Sequence, residues 1–231
     1  MVKLKIIDDV KLPRITAGNI GPPILHNNIE IRKMLNLAKA GKRDIFFDLG
    51  CGYGQNLIIA STEFGVRKAY GIELEKRRVK IAEKRIRRRK LQGKIKIINA
   101  NLDDLLDGKI STPDISKASI IFYSLSSDAE LVEKLANRLN KGCKLLYNFR
   151  CLLPEIKPNN MEFPFYVSQK PFDRPTSEFD WLCSVSTKSL RKKYSKQDLW
   201  NELYQNYEIE GIKKEVNSYK KRLKKFLSKK S

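Results

Sequence analysis

Residues 44–60 read Asp-Ile-Phe-Phe-Asp-Leu-Gly-Cys-Gly-Tyr-Gly-Gln-Asn-Leu-Ile-Ile-Ala, and no other stretch restricts the fold as much. The apolar run Ile45, Phe46 and Phe47 closes on Asp48. Glycines follow at every second position, Gly50, Gly52 and Gly54, and apolar residues resume at Leu57. A short apolar run stopped by glycines is a buried strand entering a tight turn, and the renewed apolar pattern is the start of a helix. Lacking a Cβ, glycine reaches φ values closed to other residues and lets the backbone approach a ligand, so the turn is a cradle of nucleotide size.

The spacing is Gly-x-Gly-x-Gly, not the Gly-x-Gly-x-x-Gly of dinucleotide binders, and the carboxylate of Asp48 precedes the first glycine. A pyrophosphate would be repelled there, whereas a ligand carrying an ammonium or sulfonium would be drawn in. Ala69-Tyr70-Gly71-Ile72 reads as a second strand ending in Glu73, at the separation where α/β nucleotide folds place the acid that holds both ribose hydroxyls.

Together these residues resemble the class I S-adenosylmethionine-dependent methyltransferases. Asp48-Leu49-Gly50-Cys51-Gly52-Tyr53-Gly54-Gln55 is similar to the Asp-Leu-Gly-Ser-Gly-x-Gly-Gln signature of Dot1-type protein lysine methyltransferases and their small archaeal relatives. The resemblance covers about residues 20 to 190 and implies an α/β fold with a Rossmann-like seven-stranded sheet and S-adenosyl-L-methionine as methyl donor. It implies donor-binding roles for Asp48, Gly50, Cys51, Gly52, Gly54, Gln55 and Glu73. Past the next strand, Asn101 and Leu102 would clamp adenine, Asn101 at the exocyclic amine and Leu102 over the ring; Asn101 also reads as the cap of the following turn. Tyr123, Ser124, Leu125 and Ser126 follow the strand that ends at the methyl group, where such enzymes present carbonyls and an aromatic face to the acceptor nitrogen. Dot1 enzymes proper carry Asn-Asn-Phe near this place and other amine-modifying relatives carry Asn-Pro-Pro-Tyr. This chain has neither, which leaves the acceptor open. The stiff segment Gly21-Pro22-Pro23-Ile24 makes Leu25 and His26 candidates for lining the substrate channel, against the reading of a loop packed on the core.

Lys and Arg number 47 against 26 Asp and Glu, a net charge of +21. That balance points to a polyanionic partner, DNA, RNA or a chromatin-like assembly, set against a solvated basic surface with no partner. Residues 76–90 concentrate it. Val79, Ile81, Ala82 and Ile86 form an apolar stripe, while Arg77, Arg78, Lys80, Lys84, Arg85, Arg87, Arg88, Arg89 and Lys90 crowd the rest and Glu83 alone opposes them. Phosphates would neutralise such a run, each contact releasing a counterion. Cys51, Cys143, Cys151 and Cys183 form no Cys-x-x-Cys pair and read as reduced thiols of a cytoplasmic protein, with nucleoid or chromatin association as the extension. Cys51 reads as a filler of the turn rather than a nucleophile. A single histidine, His26, gives no support to a His-based metal site or a Ser-His-Asp triad. No run approaches the length of a membrane span, and a monomer is the expected state.

The chain divides into an arm with the Pro-rich segment (1–27), a methyltransferase domain (28–190) and a basic helical extension (191–231). A helix starts near Asn28 with Ile31, Met34, Leu35 and Ala38 inward, and further strands are expected at 94–100, 118–123 and 144–149, with a helix at 128–139. Two β-type runs, 163–167 and 179–185, read as an antiparallel hairpin at the sheet edge. Leu199, Trp200, Leu203, Tyr204 and Tyr207 form a helical stripe, and Ile212, Val216, Tyr219, Leu223 and Phe226 repeat at alternating four and three residues. Docking on the enzyme's own sheet, dimerisation, a basic arm on nucleic acid and a membrane-surface helix all fit that pattern.

Methyl transfer from a sulfonium is a one-step in-line displacement that needs donor and acceptor aligned about 3 Å apart. A lysine acceptor must first lose its proton, which a dry pocket favours, and Tyr123 could supply a face or a hydroxyl. The expected function is a Dot1-like protein-lysine N-methyltransferase acting on a basic or nucleic-acid-associated protein. The alternatives are an RNA or DNA methyltransferase and a nucleic-acid-binding protein with a vestigial cofactor site.

Overall fold

The computed structural model describes residues 26–125, 129–186, 195, 197–201, 203 and 213–229. The expectations for the N-terminal arm, Leu25, Ser126, Tyr204, Tyr207 and Ile212 lie outside the described residues.

Alternate residues of a strand face opposite sides, so a strand carrying both Phe46 and Phe47 must be covered on both faces. Strand β1 (Ile45–Leu49) is therefore central. The other strands are β2 (Lys68–Glu73), β3 (Ile95–Asn99), β4 (Ile120–Tyr123), β5 (Lys144–Asn148), β6 (Asn160–Glu162) and β7 (Phe165–Gln169). They form one seven-stranded sheet in the order β3-β2-β1-β4-β5-β7-β6. β1 to β5 are parallel, and β7 runs antiparallel to both β5 and β6. On one face Phe46 packs with residues of α1 (Asn28–Leu37), α2 (Gln55–Thr62) and α3 (Lys76–Arg88). On the other, Phe47 and Leu49 join a larger core with α4 (Leu102–Leu106), α5 (Ala129–Arg138), α6 (Glu178–Val185) and α7 (Lys213–Ser228).

Local chemistry sets the ends of these elements. Asn27 and Glu30 form a reciprocal capping box at the start of α1. At Gly71, in β2, a Cβ would sit 2.5 Å from Cys51 Sγ and 2.7 Å from Leu57 Cδ1, so only glycine lets the turn and α2 close onto the sheet.

One element departs from the sequence reading. Residues 179–185, expected as the second strand of the edge hairpin, are the helix α6; the hairpin is β6 and β7, with Phe163 in its turn. Phe179, Trp181 and Val185 are strand-favouring residues. The buried residues of the segment, Trp181, Leu182 and Val185, nevertheless fall at helical spacing, and the Ser177 side chain caps the helix by accepting from Asp180 N.

Helix α7 places Tyr219 and Leu223 inside the core beside Trp181, Leu199 and Trp200. Arg222 holds Glu155 through two bonds, Nε to Oε1 at 3.1 Å and Nη2 to Oε2 at 2.7 Å. Two positions of the C-terminal apolar stripe are thus used within the molecule. Among the described residues no helix is long and apolar enough to cross a membrane.

Candidate functional site

In an open parallel sheet the strand order reverses where consecutive crossovers run in opposite directions, and a crevice opens there at the carboxyl ends of the strands. Here that point lies between β1 and β4, which are neighbours in register at Asp48 with Phe122 and Leu49 with Tyr123. The carboxyl ends of β1, β2 and β4 gather Asp48, the glycine turn, Glu73 and Ser124 around one crevice.

The turn is held from below. Gly50 N and Cys51 N both donate to Ile72 O, at 2.8 and 3.0 Å. Gly50, Gly52 and Gly54 all have left-handed backbone, with φ of 83°, 52° and 75°. A Cβ on Gly50 would meet Leu125 Cδ2 at 2.3 Å, so Leu125, 46 % exposed, lies directly over the turn. Glu73 is buried and bridges the site: Oε2 accepts from Gly52 N at 2.9 Å and Oε1 from Glu75 N at 2.8 Å. The Arg78 guanidinium lies 3.7 Å from Oε1. Each carboxylate oxygen retains a lone pair for a further donor.

Asp48 is 1 % exposed and its Oδ2 has no hydrogen-bond partner among the described residues. Burial, and to a lesser extent the charge of Glu73, raise its pKa from 3.8 to about 7, against a hydrogen bond with Asn56 that lowers it. A buried carboxylate oxygen with an open valence is a seat for a cationic donor group. The same enclosure, with the charges of Asp48 and Glu73, pushes the Cys51 thiol well up, which suits a neutral filler and not a nucleophile.

Gln55 looks outward from the turn rather than into it. Its Nε2 donates to Asn28 Oδ1 at 2.8 Å, and its Oε1 accepts from Arg85, whose Nη1 also donates to Tyr53 O at 2.7 Å. Asn101 caps α4, accepting from Asp103 N at 3.2 Å, and the bond from Ala100 N to Glu73 O sets it beside the end of β2. Leu102 is enclosed, at 7 % exposure, within the larger core. His26 stands edge-on to Phe122 and Phe165, at 5.7 and 5.2 Å between ring centres, so it is part of the wall at the end of β4.

Tyr123 requires a correction. Its side chain has no exposed surface and belongs to the larger core, so its ring and hydroxyl are not presented at the crevice mouth. Alternation along β4 turns it to the face opposite His26 and Phe122. Of this trio Ser124 is half-buried and Leu125 is exposed over the turn.

Several site residues escaped the sequence reading. Asn148, buried at the end of β5, donates to Ser124 Oγ at 2.9 Å. Arg78 and Arg85, read as part of the basic run that solvent or phosphates would neutralise, are 4 % and 7 % exposed and reach inward to Glu73 and Gln55. Their spacing of seven residues placed them on one side of the helix, and that was the available signal. Among the described residues no group of His, Cys, Asp or Glu side chains is arranged to hold a metal.

Residues 25–165 match the family described as histone methylation protein DOT1. A protein-lysine N-methyltransferase of Saccharolobus islandicus (strain REY15A) is 31 % identical over 118 residues, which are 50 % of this chain and 68 % of the relative. An RNA methyltransferase of Salinibacter ruber, solved in complex with S-adenosyl-L-homocysteine, superposes with a TM-score of 0.54 at 22 % identity, covering 66 % of this chain and 97 % of the other; that likeness is one of fold.

Proposed function

The chain belongs to the DOT1 family of histone methylation proteins, and on that footing we propose that it methylates the side-chain amine of a lysine in a partner protein. It is an S-adenosylmethionine-dependent methyltransferase. When bound, the donor supplies a methyl group made electrophilic by a positively charged sulfur. The observation that carries the reading is the open Oδ2 of Asp48, buried beside Glu73 at the head of a left-handed glycine turn.

In this reading Asp48 Oδ2 accepts from the donor's ammonium group. Glu73 uses its remaining lone pairs for the ribose hydroxyls, with the Arg78 guanidinium 3.7 Å from its Oε1. The backbone of Gly50, Cys51, Gly52 and Gly54 forms the floor, Gln55 pins the turn to α1 and α3, and Asn101 and Leu102 meet the adenine. Leu125 and the aromatic wall of His26, Phe122 and Phe165 exclude water where the acceptor enters. A lysine ammonium has no lone pair, and desolvation by that apolar mouth favours the neutral amine able to attack. The proton leaves to solvent before transfer.

The acceptor protein is one that travels with nucleic acid, since a chain of net charge +21 would repel a free basic protein unless a polyanion lies between them. A cytoplasmic, nucleoid-associated setting is consistent with that pairing. Incubating the protein with tritiated S-adenosylmethionine and a cell lysate, followed by protease or nuclease, tests the reading. Label released by protease and recovered as methyl-lysine supports it; label released by nuclease alone would make a base the acceptor, and no incorporation would leave only a donor-binding protein.

A further inference from the structure

The positive charge of this protein is not evenly compensated. On the α4 and α5 side, lysines are matched by acids: Lys109 with Asp104 at 3.0 Å, Lys134 with Asp107 at 3.3 Å and Lys117 with Asp114 at 3.9 Å. On the opposite face of the sheet, α3 exposes Lys76, Arg77, Lys80, Lys84, Arg87 and Arg88 against the single exposed acid Glu83. Lys80, Lys84, Arg87 and Arg88 take part in no ion pair among the described residues. Lys94 and Lys96, also exposed, extend the charge onto β3, the edge strand next to α3.

At 3.6 residues per turn the six exposed cations of α3 fall within an arc of about 120° and run for about 18 Å along the axis. The apolar stripe and the inward guanidiniums of Arg78 and Arg85 fix the opposite side of the helix, so the arc cannot rotate away. Like charges at this density destabilise a bare helix, and a row of phosphates relieves them. No aromatic residue stands among the exposed residues of α3, so unstacked bases find no platform there. A backbone presented as a regular rod, with about one charge per 1.7 Å of axis, is the matching ligand.

We propose that α3 and the β3 edge form a sequence-independent docking face for double-stranded nucleic acid. The face begins at the rim of the crevice, because Lys76 follows Glu73 by only three residues. A duplex lying along it brings proteins bound to the same duplex to the acceptor mouth. The proposal deepens the polyanion part of the reading above, and its test does not depend on methyl transfer.

The test measures binding of a labelled 20-base-pair DNA duplex by fluorescence anisotropy from low to moderate salt. The full chain is compared with the quadruple variant K80Q/K84Q/R87Q/R88Q and with the control K109Q/K117Q/K134Q, while calorimetric uptake of S-adenosylhomocysteine checks that each protein is folded. The expected result is a log–log salt slope shallower by about 3 to 4 in the α3 variant, at roughly 0.9 per phosphate contact, with the control and donor uptake unchanged. Equal weakening by both variants would overturn the assignment to α3 while leaving a diffuse polyanion affinity. No binding by the full chain at low salt would overturn both. Retained donor uptake in either case would leave the methyltransferase reading standing.

Discussion

Asp48→Asn removes the one buried carboxylate whose charge is uncompensated within the described residues, and it separates the needs of folding from the needs of the site. The pKa of Asp48 rises from 3.8 to about 7 on burial, so the folded chain holds this proton more tightly than the unfolded chain. Its contribution to stability is therefore complete below about pH 4, declines as pH rises, and levels off above about pH 7. A shift of about 3 units at about 1.4 kcal/mol each sets a ceiling of about 4 kcal/mol on that loss. Asn keeps the shape and carries no charge, so urea unfolding should find the variant more stable than the parent at pH 8 and lacking the parent's decline between pH 5 and 7. Donor binding should move in the opposite direction. An ammonium prefers the ionised carboxylate, so the parent's affinity for S-adenosylmethionine rises about tenfold per pH unit up to about 7, whereas the variant's is flat there. Losing a hydrogen bond between charged groups, about 1.5 to 3 kcal/mol, weakens the variant about ten- to hundredfold at pH 7.5. A variant no more stable than the parent at pH 8, with undiminished donor affinity by calorimetry, would refute the assignment of Asp48.

Three further outcomes follow from the geometry. Gly71→Ala drives a Cβ against Cys51 and Leu57 and should cost about 1 to 3 kcal/mol in urea unfolding, with Cys51→Ala restoring part of it. Glu155→Gln leaves the half of the Arg222 pair that anchors α7 without its charge, and the midpoint should fall by an amount corresponding to about 2 kcal/mol at low salt. Ser124→Ala removes the acceptor of the Asn148 amide; stability should change by about 1 kcal/mol, while methyl transfer to protein falls and S-adenosylhomocysteine affinity, read by calorimetry, holds.

The cradle proposed for the donor could be read as a unit because its residues are local in sequence. A strand, a glycine turn and an acid one strand later are contiguous features, and the sheet brings Asp48, the turn and Glu73 together as read. The acceptor half could not, because it depends on which face of β4 each residue occupies. Tyr123 and Phe122 are both bulky aromatic residues that suit a buried strand, and only the packing on the two faces shows that Phe122 meets His26 while Tyr123 turns into the larger core. Helix α6 was misread for a related reason: bulky residues suit either element, and the side-chain cap at Ser177 decided between them. Arg78 and Arg85 show the limit of counting charge, since two guanidiniums in a run of cations serve the interior.

The amide of Gln55 joins the first residue of α1 to the first turn of α2, and Arg85 fastens the same side chain to α3. Three helices therefore share one clasp. Lifting the start of α1 away from the crevice requires that clasp to open, and the floor under the donor then slackens at the same moment. Opening of the mouth and release of the spent donor should therefore be one motion: the expected outcome is deuterium uptake by the amides of residues 29–32 and 56–59 at a common rate, slowed together when S-adenosylhomocysteine is present, and independent rates would refute it.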